Sequence, residues 1–204
     1  MLEKPFKTMK LQFGDKIYDY SKPEPEVVKA AEYLCQQGKQ VVLDLGCGAG
    51  RHLLYLAQKF KVYGLDKDQD LIKKAASNLP KLRDKLRVGN MTATPYGDQF
   101  FDAVIANQVI YHGTKAQMSQ TIKEIYRILK PKGLFFVTLQ PREGQAWRLG
   151  KLVEPWTYVT SAGPDKGDTH HFVYRKEIDG LFGKKHLISV YQDNRNDWCV
   201  YGKK

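Results

Sequence analysis

The sequence predicts an α/β fold, a mostly parallel sheet with helices on both faces, and three observations predict it. Apolar runs of strand length alternate with segments of helical periodicity between residues 41 and 139. The first run, Val41 to Leu45, meets glycines at every second position (Gly46, Gly48 and Gly50) and then a helix-like stretch. A later helical segment stops at Pro131 and Gly133 and gives way to another apolar run. Strand and helix alternating in this order build βαβ units, whose strands lie parallel.

Taken in order, residues 1–24 carry Phe6, Phe13, Tyr18 and Tyr20 among charges. Glu26 to Gln37 then places Val27, Val28, Ala31 and Leu34 at helical spacing. Strands are expected at 41–45, 61–65, 86–88, 102–106 and 133–139, with helices at 52–59, 69–78 and 116–129 between them. The last of these helices carries Met118, Ile122, Ile125 and Leu129 on one face. Lys176 to Phe182 reads as a further helix. His186–Tyr191 and Trp198–Gly202 read as two short strands, close enough for a hairpin around Asp193-Asn194. That makes seven strands.

Gln140 to Tyr174 fits no regular element. A loop longer than about 15 residues in a compact domain is usually functional or disordered. This one holds Trp147, Trp156, Tyr158, His170, His171 and Phe172, too aromatic for a disordered linker. It follows the fifth strand at the carboxyl edge of the sheet, so residues 140–174 read as a substrate-selecting insertion overhanging a crevice.

The 204 residues suit a single domain with a full core. No apolar run approaches the length of a membrane span, about 20 residues, and the lysine-rich start does not read as a signal peptide. Cys35, Cys47 and Cys199 are odd in number and share no C-x-x-C spacing. This points to a reducing cytoplasm, with neither disulfides nor a zinc site. The net charge of +11 allows an acidic partner such as RNA, yet the basic residues are spread over the chain, densest at Lys81–Arg87 and Lys130–Lys132.

The glycine turn after the first strand suits a ligand lying against main chain, at a helix N-terminus beyond the carboxyl end of a parallel strand. A nicotinamide or flavin fingerprint needs G-x-G-x-x-G. Here the third glycine falls one position early, at Gly50, and Arg51 stands where that fingerprint requires glycine. Asp44, two residues before Gly46, would repel a pyrophosphate and favour an ammonium group. Asp66, at the tip of the second strand, can accept both hydroxyls of a ribose. S-adenosyl-L-methionine (SAM), with an amino acid end, a ribose and no phosphate, fits this pattern.

At these residues the chain resembles the class I SAM-dependent methyltransferases. Asp44-Leu-Gly-Cys-Gly-Ala-Gly50 is similar to their first motif, and Gly64-Leu-Asp66 to their acidic ribose motif. Phe101–Asn107 and Leu129–Val137 are similar to their fourth strand and to the helix-turn-strand that follows. Gly89-Asn90-Met91 stands where the family usually has Gly-Asp-Met, so an amide replaces the usual carboxylate at the adenine.

The resemblance implies a Rossmann-like sheet of seven strands, the last inserted antiparallel. It implies cofactor contacts at Asp44, Gly46, Cys47, Gly48, Asp66, Lys67, Asn90, Met91 and Asn107. It also implies that residues 1–38 form a lid or helix over the cofactor, bringing Tyr20 to it; a surface arm packed by its own aromatics is the other reading. Cys47 serves as a small filler in the turn.

Methyl transfer from a sulfonium demands an in-line nucleophile and a dry site, and no metal. Tyr111, His112 and His171 are the candidates for base or for substrate orientation. His112 could equally fix its loop by a backbone hydrogen bond. His170 and His171 are adjacent, so on an extended segment they point opposite ways, and the sequence offers no third metal ligand beside them.

The acceptor stays open. A small molecule suits the aromatic insertion. A tRNA wobble uridine is the alternative, because the segment from His171 to Val200 is similar to the C-terminal part of wobble-uridine methyltransferases, and aromatics with positive charge suit an unstacked nucleotide. A protein that binds SAM without catalysis is the third reading.

Overall fold

The computed structural model describes residues 22–143, 150–161 and 165–204, and the backbone alone of residues 10–13 and 16–19. Tyr20 and Trp147 lie outside the described residues, so the expected contact of Tyr20 with the cofactor does too.

The elements in chain order are β1 (Lys10–Phe13), β2 (Lys16–Asp19), α1 (Pro25–Gln36), β3 (Val41–Leu45), α2 (Leu53–Leu56), β4 (Lys61–Asp66), α3 (Gln69–Asn78), β5 (Leu86–Val88), β6 (Phe101–Ala106), α4 (Lys115–Ile128), β7 (Leu129–Pro141), β8 (Gly150–Glu154), β9 (Thr157–Thr160), β10 (Thr169–Val173), α5 (Arg175–Phe182), β11 (Leu187–Gln192) and β12 (Trp198–Lys203). β1 and β2 form a separate antiparallel hairpin.

β5, β4, β3, β6 and β7 lie side by side and parallel. β12 then runs antiparallel along Leu134–Leu139 of β7, and β11 closes that edge as a hairpin with β12. These seven strands of a ten-stranded sheet make the mostly parallel arrangement with an inserted antiparallel strand that the resemblance implies.

Residues alternate between two cores along each strand. Val42 and Ile105 pack with Val27, Ala31 and Leu34 of α1 and with Leu53 and Ile72. Leu43 and Val104 pack with Met118, Ile122 and Ile125 of α4 and with Ile178 and Phe182 of α5. Full burial on both faces is what near-continuous apolar strands require. The helices start where their caps say. Asp68 accepts the backbone N–H of Asp70 and Leu71 at the head of α3, and Thr114 with Gln117 forms a capping box at the head of α4.

Three local differences from the sequence reading have physical causes. α2 covers only four residues instead of 52–59: its end tightens through i→i+3 bonds from Gln58 N–H to Tyr55 and from Lys59 N–H to Leu56, turning the chain straight into β4. β7 begins at Leu129, not at Gly133, because Leu129 already pairs with Phe101.

The third difference is the largest. Residues 140–174 contain regular structure, three strands. β7 outruns β12, and its last residues, Gln140 and Pro141, pair in parallel with Phe172 and Val173 of β10. β9 and β8 then add antiparallel. β7 thus serves two neighbours in series, β12 along its length and β10 at its carboxyl tip.

The candidate active-site crevice

The crevice opens beyond the carboxyl ends of β3, β4 and β6. It holds a cavity of about 510 Å³ bordered on one side by Gly46, Asp66, Lys67, Asn90 and Met91, and on the other by Gln108, His112, Gly113, Asp168 and Thr169.

The glycine turn forms the floor. Gly46 has φ 74°, and a Cβ there would lie 2.3 Å from Cγ2 of Val109, so only glycine lets the turn press against the loop after β6. Gly48 has φ 51° and would point a Cβ into open space. The N–H groups of Gly46 and Cys47 both donate to the Leu65 carbonyl, at 2.7 and 3.0 Å, tying the turn to β4. Cys47 turns its sulfur inward against Gly64: a Cβ on Gly64 would lie 2.8 Å from that Sγ. Its thiol is buried, and burial first, then the nearby Asp44 and Asp66 charges, push its pKa well up. It fills space as a neutral thiol.

Asp66 accepts the Gly48 N–H at 2.8 Å on Oδ2 and the Asp68 N–H at 2.9 Å on Oδ1. Each carboxylate oxygen keeps a further acceptor position. Asn90 is engaged otherwise than expected. Its Oδ1 accepts both the N–H and the hydroxyl of Thr92, each at 2.9 Å, an Asx-type turn. That leaves the amide NH₂ as the donor Asn90 can offer at the cavity.

Behind the glycine turn lie buried polar atoms with no hydrogen-bond partner among the described residues: Oδ2 of Asp44, Nε2 of His52 and both amide atoms of Asn107. Asp44 is 1% exposed, and its Oδ1 lies 3.8 Å from Nδ1 of His52. Buried groups of this kind are costly unless something satisfies them. Acceptors at Asp44, and both donor and acceptor at Asn107, match the ammonium and carboxylate of an amino acid. Together with the glycine floor and the Asp66 oxygens, these residues fit SAM.

Of the three side chains expected to act as base or orienting group, His112 alone borders the cavity. Tyr111 is 3% exposed and stacks face to face on the His112 ring behind the wall, centroids 4.8 Å apart. Burial, then the Asp197 and Asp165 charges, raise its pKa. His171 is 1% exposed, its Nδ1 lies 2.7 Å from the Thr157 hydroxyl and its Nε2 is buried with no partner among the described residues. Burial lowers its pKa to about 4, helped by the Arg142 and Lys115 charges. The reason is register: His170 and His171 alternate on β10, and neither side chain borders the cavity.

His170 meets His112 instead. The two sit opposite one another in an antiparallel bridge, with His170 Nε2 at 3.2 Å from His112 Nδ1. Burial and the neighbouring imidazole bring His170 to about 4, and burial lowers His112 as well. Asp168 Oδ2 is 3.5 Å from His112 Nδ1, and Asp165 Oδ2 is 3.9 Å from His170 Nε2. Asp165, raised in pKa by burial, is the third potential ligand that the sequence does not place beside the histidines.

Gln108 borders the cavity beside His112. It follows Asn107 with φ 57°, held by its N–H to the Thr138 hydroxyl at 2.6 Å. A left-handed non-glycine at a strand tip commonly marks a functional turn. Arg51 and Arg195 both pair with Glu24, at 2.8 and 3.0 Å, tying the start of α1 to the glycine turn and to the β11–β12 turn.

Residues 43–137 match the family model of a methyltransferase domain, Methyltransf_11. An uncharacterized methyltransferase of Synechocystis sp. is 36% identical over 97 residues, 47% of this chain and 45% of the relative. The tRNA (carboxymethyluridine(34)-5-O)-methyltransferase of Arabidopsis thaliana is 30% identical over 125 residues, 57% of this chain and 30% of that one. The chain spans about half the length of the curated relatives it matches first. A SAM-dependent methyltransferase structure from Methanosarcina mazei superposes with a TM-score of 0.71 at 20% identity, covering 90% of this chain and 98% of that one.

Proposed function

We infer, from the place of residues 43–137 among the class I SAM-dependent methyltransferases, that this chain transfers the SAM methyl group to a small-molecule acceptor by in-line displacement at the sulfonium. SAM is the cofactor of that family. The glycine turn, Asp44 and Asn107 receive its amino acid end, Asp66 its ribose hydroxyls, and Asn90 and Met91 flank its adenine, with Lys67 at the rim.

The observation that carries the acceptor class is the far wall of the crevice. The Gly113 N–H donates to the Thr169 carbonyl at 2.6 Å, and the His171 N–H to the Tyr111 carbonyl at 2.9 Å. These bonds zip the loop after β6 to β10 and close the cavity on the acceptor side. A concave pocket of about 510 Å³ lies within the range of small-molecule sites. The insertion at 140–174 thus selects the substrate by building one wall of the pocket.

Transfer consumes the sulfonium charge, so the wall has only to hold the acceptor close and in line and to keep water out. His112 and Gln108 are the side chains placed to orient it. The three free cysteines and the absence of any membrane-crossing helix among the described residues accord with work in the cytoplasm.

A second reading, methylation of a tRNA wobble nucleoside, draws on the net charge of +11 and on the similarity to the Arabidopsis enzyme. SAM with a labelled methyl group, incubated with the protein and a cell extract, separates the readings. Label in the low-molecular-weight filtrate supports the small-molecule acceptor; label in a ribonuclease-sensitive fraction replaces it with RNA. Label in neither, with SAM bound in calorimetry, would make the chain a SAM-binding protein without transfer.

A further inference from the structure

We propose that His112, His170 and Asp165, with Asp168 as fourth ligand, form a binding site for a divalent transition cation of the zinc class at the rim of the crevice. One ligand atom from each of the first three residues lies within 4.8 Å of the others. The two imidazole nitrogens are 3.2 Å apart. A tetrahedral zinc with metal–nitrogen bonds of about 2.0–2.1 Å separates its nitrogen ligands by about 3.3 Å, so the histidine pair already stands at the spacing the ion requires. Asp168 and Asp165 oxygens approach these nitrogens at 3.5 and 3.9 Å, and both acids are partly exposed, free to swing inward.

The imidazoles are fixed by the fold. His112 and His170 face each other across the antiparallel bridge, and the bonds from Gly113 to Thr169 and from His171 to Tyr111 hold the two backbones on either side. Tyr111 packs against both rings, stacked on His112 and edge-on to His170 at 5.1 Å. The acids belong to a turn closed by the Asp168 N–H on the Asp165 carbonyl at 2.9 Å and anchored to Thr160 of β9. A rigid nitrogen pair and an adjustable oxygen pair together make a two-nitrogen, two-oxygen set of the kind zinc, cobalt and nickel accept.

Charge points the same way. Among the described residues, Asp165 and Asp168 make ion pairs with these two histidines alone. Two carboxylates therefore approach two imidazoles from one turn, an arrangement of two oxygen and two nitrogen donors about a common point. A divalent ion at that point pins the loop after β6 to the 165–170 segment across the pocket wall.

The cation site does not depend on the methyl-transfer reading, and its test reads the cation directly. The chelator-treated full chain is titrated with Co²⁺, and its visible ligand-field spectrum is followed. A tetrahedral cobalt spectrum saturating at one equivalent, displaced by Zn²⁺, is expected in the wild type. His170→Ala should abolish it. Asp165→Asn, in a half-exposed turn where folding is not at risk, should weaken Co²⁺ at least tenfold and leave SAM affinity in calorimetry unchanged. No tetrahedral spectrum in the wild type, or equal Co²⁺ affinity in Asp165→Asn, would overturn the site. Failure of the wild type to bind SAM would instead sink the methyl-transfer reading and leave the cation site standing.

Discussion

The Asp66 carboxylate is the clasp of the glycine turn: its Oδ2 takes the Gly48 N–H at 2.8 Å while its Oδ1 takes the Asp68 N–H at 2.9 Å. One acid at the tip of β4 therefore both shapes the turn and presents its remaining lone pairs to a ligand. Asp66→Ala removes the two roles together. Charge-assisted hydrogen bonds contribute about 1.5–3 kcal/mol each, so calorimetry should show SAM binding weakened by about a hundredfold or lost. Unchanged affinity would remove the ribose assignment.

The two glycines that open the turn should respond differently. Gly46→Ala puts a methyl into Val109 on a backbone of φ 74°. Overpacking and left-handed strain together cost about 2–5 kcal/mol, read as a lower urea midpoint. Gly48→Ala meets open space at φ 51° and should cost about 1–2 kcal/mol of stability, with SAM affinity falling by more than stability does. Equal stability losses in the two variants would contradict the packing argument.

On the acceptor side, His112→Ala should lower kcat/KM about tenfold or more, because a misplaced acceptor loses in-line geometry. Tyr111→Phe should change it less than about threefold, since the Tyr111 side chain is buried behind the wall. Steady-state kinetics on the acceptor identified by labelling decides between them. A larger effect at Tyr111 than at His112 would return the phenol to the chemistry.

Acid should weaken the fold through His171. Its folded pKa of about 4 lies below the ordinary 6.5 because the ring is buried. Between those values the unfolded chain takes up a proton that the folded one refuses. Stability from this group is complete above pH 6.5 and drains away as pH falls toward 4, by about 3 kcal/mol. His171→Gln should flatten that part of the curve in urea titrations at pH 7, 5.5 and 4.5. His170, shifted the same way, keeps part of the slope in the variant, and an unaltered slope would mean that His171 is not the source.

The sheet was legible because its signals are local. α3 falls on 69–78, where Asp68 offers the cap and Ile72 and Ala75 supply the buried face. α4 follows from Met118, Ile122 and Ile125 on one face. Gly46, Asp66, Lys67, Asn90 and Met91 were legible as residues bordering the crevice for a similar reason, since each sits in a short segment at a strand tip. β8 to β10 were not. Leu152 and Val153 are consecutive and both exposed, so β8 shows no alternation to read. Its extended form comes from pairing that begins at Gln140 and Pro141, the tip of a strand already counted as finished. The partnership of His112, His170 and Asp165 was hidden by distance along the chain, being assembled only when β10 docks. The position of Asn90 was legible, but its partner Thr92 was not, because that bond forms only once the turn after β5 closes.

The serial use of β7, by β12 up to Leu139 and by β10 from Gln140, sets the meander on the tip of a strand whose body belongs to the main sheet, with one junction before Gln140 and one after Tyr174. Gly46, Asp66, Asn90 and Met91 border the cavity from the sheet side of those junctions, while Asp168 and Thr169 reach it from the β8–β10 meander. Exchanging residues 140–174 for the corresponding stretch of a relative would then retarget the chemistry and leave the donor grip intact, as a lathe keeps its spindle while the tool changes.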